Sequence, residues 1–173
     1  DSIASSDEFW EFEMSSELLA DKFHEYTSIL SEEEYDKLME NLNDDDYVED
    51  FMRKANLENE LQQLAKAKEN LSKHTGFLRL NADERTQLFI LYAESNELTK
   101  VKLLKTREEG GSTSSCEEQK QAAYKQAKAD YDNAIANCQN GSMPSGCLIQ
   151  AAAKYDRAKG IANKEYKECI ANK

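Results

Sequence analysis

A single proline, two valines and six glycines are spread over 173 residues. Helix interiors reject proline and strands favour β-branched residues, so these scarcities argue against a sheet-built fold and for an all-α one. No apolar run approaches the ~20 residues that a membrane span requires. The chain has two histidines, no C-x2-C pair, no Gly-rich phosphate loop followed by Lys-Ser/Thr, and no G-x-S-x-G. A thiolate zinc site, a nucleotide-binding P-loop and a hydrolase nucleophile elbow are thereby excluded, and no cofactor or metal is expected.

Basic residues are missing from one end in particular. Residues 1–60 hold 20 acidic side chains against four basic, while the rest holds 14 against 18, for a net charge of −12. Nucleic acid needs Lys/Arg to displace counterions from phosphate, and anionic lipid needs a basic patch, so neither is expected as a partner. Charged residues make up 32% of the chain, above the usual ~25%, as helices with wide solvated faces require.

Four helices are read before residue 110. The first runs from a cap at Ser6 or Asp7 to about Leu30, with Phe12, Leu19, Phe23, Tyr26 and Leu30 at helical spacing. The second is short and opens on the capping box Ser31-x-x-Glu34. The third is read without interruption from about Asp46 to His74, with Gly76 as a left-handed stop. The fourth follows the Asn81-x-x-Glu84 box and carries Leu88, Phe89, Leu91, Tyr92, Leu98, Val101 and Leu104. Residues 1–109 thus read as an acidic bundle of about four helices, and residues 110–115 (GGSTSS) as a linker. Residues 116–173 read as two helices joined by the turn formers NGSMPSG, the first of them capped by Ser115 in "SCEE".

The four cysteines all lie beyond the linker, at 116, 138, 147 and 169. Three pairings are conceivable. A helix of 22 residues is about 33 Å long, whereas a disulfide needs Cα atoms within about 7 Å, which removes Cys116–Cys138 and Cys147–Cys169. Cys116–Cys147 with Cys138–Cys169 requires parallel helices, which a short turn cannot connect. Cys116–Cys169 with Cys138–Cys147 remains, and both pairs share one residue-number sum, as facing positions of an antiparallel hairpin must. On that register Ala123 faces Ala162, Ala127 faces Ala158 and Ala134 faces Ala151, with Tyr124, Tyr131, Tyr155 and Tyr166 flanking the seam. Lasting disulfides imply an oxidising compartment: secreted, periplasmic or cell-surface. The chain opens on DSIASSDEF without an initiator Met, as a mature end or a trimmed segment does, and the cysteines predict a leader upstream.

Little chemistry is legible. Asp21 and His24 stand at i, i+3, half of a helical di-metal motif, but Leu71 occupies the matching position before His74, so a solvated face is expected. Asp44 to Asp50 (DDDYVED) lacks the Gly and Glu of a calcium loop and reads as a helix cap. No carboxylate stands in an apolar context of the kind that raises its pKa, and no enzyme is expected. Asn70 and Asn140 lie in glycosylation sequons at the frequency chance predicts.

Two functional features remain. The acidic front half bears aromatics, and in EFWEFEM the apolar residues 9, 10, 12 and 14 cover too much of a helix circumference to bury on one stripe. Phe9, Trp10, Phe12, Asp44, Asp45 and Asp46 are therefore candidate contacts for a protein partner of basic character. The hairpin tip, with Met143 and Pro144, is a second candidate contact, whether the stapled rod projects or braces the bundle. The expectation is a non-enzymatic helical binding protein, an envelope inhibitor or immunity protein being a special case. The alternative is a carrier of lipid or another apolar small molecule in a bundle cavity.

Overall fold

Helix α1 (Asp7–Thr27) is followed by α2 (Glu32–Glu40), α3 (Asp45–Lys54), α4 (Glu58–Lys73), the single turn α5 (Thr75–Leu78), α6 (Ala82–Arg107), α7 (Ser114–Ala136) and α8 (Pro144–Ala171). They are taken from a computed structural model, which describes residues 3–107, 114–138 and 144–172, with only the backbone of 96–107, Ser114 and Pro144. The described residues are all-α and contain no strand.

Local sequence explains most helix starts. The Ser6 hydroxyl accepts from the Phe9 amide and Asp44 accepts from Asp46 and Tyr47. The capping boxes expected at Ser31 and Asn81 form reciprocally, with Glu34 and Glu84. Helix α8 starts at Pro144, where the missing N–H is one the first turn leaves unpaired anyway. Helix α7 begins at Ser114, so Ser115 lies inside its first turn rather than capping it.

The N-terminal part has six helices rather than about four. The expected third helix is interrupted at Asn56, which adopts φ 57°. The Asn56 amide bonds to Arg53 O and the Leu57 amide to Met52 O, the paired bonds of a Schellman stop with asparagine in the left-handed position. Leu57 is then fully buried, which anchors the turn hydrophobically. Gly76 is not a left-handed stop. It lies in α5, its N–H donates to His74 Nδ1 at 3.0 Å, and an added Cβ would stand 3.0 Å from the imidazole. Glycine serves close approach there, not a positive φ.

The hairpin is stapled at both ends by Cys116–Cys169 and Cys138–Cys147, each with Cα atoms 5.8 Å apart. Tyr131 and Tyr155 stack across it at 4.6 Å between ring centroids. The seam is not alanine throughout: Ala127, Ala151 and Ala162 are buried, but Ala134 is exposed and Ile135 takes the inward position. Ile135, Leu148 and Ile149 give the tip end larger apolar side chains, and these join one core with Phe12, Phe23 and Leu64 of the N-terminal helices. The hairpin therefore lies against α1 and α6 as a brace. Gly110 to Thr113 of the linker, and the tip up to Met143, lie outside the described residues, as does the side chain of Pro144.

Candidate partner-binding surface

Helix α1 carries the one candidate contact that is both aromatic and exposed. Its inner face buries Phe9, Phe12, Leu19, Ala20 and Phe23. Phe9 and Phe12 pack on Phe89 of α6, and Phe23 packs on Phe51 of α3. Phe9 and Phe12 are thus core residues and not partner contacts, because their positions fall on the side of α1 that the aromatic rings of α6 cover.

Two polar clamps fix α1 further. In the first, Glu13 is 1% and Asp132 0% exposed, overturning the expectation that no carboxylate stands in an apolar setting. Lys128 Nζ lies 2.8 Å from both Asp132 oxygens and 3.1 Å from Glu13 Oε1, and the Ser16 hydroxyl donates to Asp132 at 3.2 Å. The Tyr131 hydroxyl donates to Ser16 O at 2.7 Å. Among the described residues, Glu13 Oε2 is the buried side-chain oxygen left without a hydrogen-bond partner. Burial first, and Asp132 second, push the Glu13 carboxyl up to about 10, against the pull of Lys128. Burial acts to lower the Lys128 ammonium, but Asp132 and then Glu13 outweigh it and hold it above its ordinary range. Glu13 therefore carries a proton at neutral pH, and one negative charge balances one positive inside the fold.

This arrangement makes stability pH-dependent in a definite direction. The unfolded chain releases the Glu13 proton above ~4.3, whereas the folded chain keeps it to about 10. Between those values the folded state binds more protons, so this group's contribution to stability falls as pH rises. Glu13→Gln removes the titration while keeping the shape. Urea midpoints measured from about pH 5 to about pH 9 should fall less steeply for Glu13→Gln than for the wild type; equal slopes would contradict the assignment.

The second clamp centres on Asp156 of α8, which is buried. It accepts from Thr27 at 3.0 Å, Tyr35 at 3.0 Å and His24 Nδ1 at 2.7 Å, tying α1, α2 and α8 together. Burial and then Asp156 raise the Tyr35 phenol. His24 is thus an orienting donor to a carboxylate 132 residues away, a partner that its neighbour Asp21 gave no hint of. Among the described residues no group of three or more His, Cys, Asp or Glu is arranged to hold a metal ion.

With its inner face held, α1 turns the opposite face to solvent. Trp10 is 62% exposed, Met14 40% and Leu18 48%, at i, i+4 and i+8. At 100° per residue, Glu17 and Asp21 flank this line on one side and Glu11 on the other, with Asp7 and Glu25 at its ends. A cleft of about 460 Å³ opens beside the Asp7 end, lined by Asp7, Glu8, Glu11, Asn70, Lys73 and His74. Leu18 escaped sequence reading because the neighbouring Leu19 fitted the core stripe. A second apolar line with a spacing of four was the available signal.

Asp44, Asp45 and Asp46 are exposed, and Asp44 is engaged in capping α3. Helix α3 meets α1 at Phe23 and Tyr26, about 20 Å along the axis from Trp10, so these acids are not gathered with it. A cleft of about 230 Å³ between α2 and α3 includes Tyr26, Tyr47, Glu34, Lys37, Asp50 and Lys54 in its lining. Of its charged side chains, Lys54 lies 3.0 Å from Asp50, and Glu34 accepts from the Ser31 amide. Two disulfides fit an oxidising compartment, and among the described residues no helix is long and apolar enough to cross a membrane. No protein-family model, no curated protein and no solved structure matches this chain.

Proposed function

We propose that this chain is a non-enzymatic binding protein of the secreted, periplasmic or cell-surface space, which uses its acidic surface to engage a basic protein partner. One observation carries the reading. The single tryptophan stands 62% exposed on the most acidic part of the chain, although a buried core lies on the other side of the same helix. Exposed aromatics ringed by charge of one sign are what steered, anchored protein association requires. An inhibitor or immunity protein of a cell envelope is a special case of this role. Carriage of an apolar small molecule draws no support from the clefts of about 230 and 460 Å³ among the described residues, both of which are rimmed by charged side chains.

Partner capture from the source organism tests the proposal, with the wild type and Trp10→Ala as parallel baits. A basic protein held by the wild type, released by raised salt and lost with Trp10→Ala, is the expected result. A partner retained equally by both baits would remove the acidic Trp10 surface from the account.

A further inference from the structure

Resting on that reading, the geometry points to the chemical form of the partner. We infer that the outer face of α1 is a docking strip for a basic amphipathic helix. Its apolar side chains cover Trp10, Met14 and Leu18, and a Lys or Arg reaches the cleft at Asp7, Glu8 and Glu11.

The argument starts from what the face offers. The backbone of α1 is paired within the helix, so only side chains are available to a partner. An extended peptide covering the strip would bury its own N–H and C=O groups with nothing to pair them, whereas a helix brings its backbone already satisfied. Residues 10, 14 and 18 form one i±4 ridge, inclined by about 26° to the axis. A helix that meets this ridge with its i±3 row crosses at about 20°, the geometry that keeps two helices in contact over several turns.

Charge selects the kind of helix. Glu11 lies on one side of the ridge and Glu17 and Asp21 on the other, with Asp7 and Glu25 at the ends. The basic side chains nearby are Lys22 on the same helix, and Lys73 and His74, which line the Asp7 cleft and lie 3.7 Å from Glu69 and 4.0 Å from Glu8. Lys22 is already bridged to Glu60 at 3.2 Å. A partner with an apolar stripe flanked on both sides by Lys or Arg matches this pattern. A second copy of the chain does not, since an isologous pairing of two such faces sets carboxylate against carboxylate. An anionic lipid surface is repelled for the same reason. Because the Glu13–Lys128–Asp132 and Asp156 clamps hold α1 from behind, the strip is preformed.

The sole tryptophan is at the strip, so the protein reports its own occupancy. The probe is a synthetic Lys/Leu peptide patterned as an amphipathic helix and free of Trp and Tyr, titrated into the full chain while Trp10 emission is read. The control is a peptide of identical composition, scrambled to have no apolar face. Met14→Ser/Leu18→Ser tests the ridge; both positions are exposed, and a helix signal matching the wild type verifies folding. A saturable blue shift is expected with the amphipathic peptide. The scrambled peptide should bind at least about tenfold more weakly, and the double variant should lose about tenfold for the amphipathic peptide alone. Equal binding of both peptides would overturn helix docking while leaving an acidic protein-binding surface. Binding of neither would overturn both.

Discussion

Replacing Lys128 by methionine is expected to destabilise the fold by about 3–5 kcal/mol. Methionine fills the volume of the lysine stem, so the loss reads the charge and not a cavity. Without the ammonium, Asp132 keeps its bond from Ser16, but two buried carboxyl groups then share a site with no cation. A buried charge stripped of its partner cannot recover its desolvation cost. Replacing Asp132 by leucine in the same chain should restore much of the loss, because an apolar set of similar volume is often as stable as the ion pair it replaces. Urea unfolding with an unchanged slope measures both effects. A loss below about 1 kcal/mol for Lys128→Met would mean that water or another cation reaches Asp132.

The second large effect belongs to the disulfides, and their order is predicted along with their size. Cys116 and Cys169 are 53 residues apart, Cys138 and Cys147 only nine. Chain entropy makes the longer closed loop the more stabilising, at about 4 kcal/mol against about 2.5 kcal/mol for the shorter. Paired Cys→Ala variants, unfolded in urea, should follow that order. The reverse order would place the stabilisation in local contacts at the hairpin tip rather than in restriction of the unfolded chain. Loss of the outer bridge also frees the start of α7 at Cys116, which is fully buried. The brace along α1 and α6 should loosen from that end.

Much of this architecture is written in local chemistry. Capping boxes at Ser31 and Asn81 state where helices begin, because hydroxyl or amide and carboxylate three residues apart satisfy two orphan amides at once. The cysteine pairing follows from helix length together with the short turn that makes the two helices antiparallel. What sequence reading lost was of two kinds. The break at Asn56 carries no glycine or proline to announce it, and asparagine in the left-handed region differs from asparagine in a helix only in three dimensions. The Glu13–Lys128–Asp132 cluster spans 115 residues between its first two members, and any one of them, read alone, is a charge on a solvated face. The i, i+4 pair Lys128 and Asp132 was visible; its burial against α1 was not. The candidate surface was half legible. Apolar residues too wide for one stripe were evident in EFWEFEM, but only packing against Phe89 divides them into Phe9 and Phe12 within and Trp10 and Met14 outside.

The central claim is that Trp10 stands open to solvent inside a ring of carboxylates, and collisional quenching of its fluorescence reads both halves of that statement. The neutral quencher acrylamide should quench efficiently. At low ionic strength caesium ion should quench better than iodide when each is referred to its quenching of a free, uncharged tryptophan amide, because the flanking carboxylates gather cations and repel anions. A weakly quenched, blue-shifted emission would contradict the account by showing that the chain covers Trp10 itself. Equal quenching by caesium and iodide on that relative scale would contradict the acidic frame on which the partner's basic character rests.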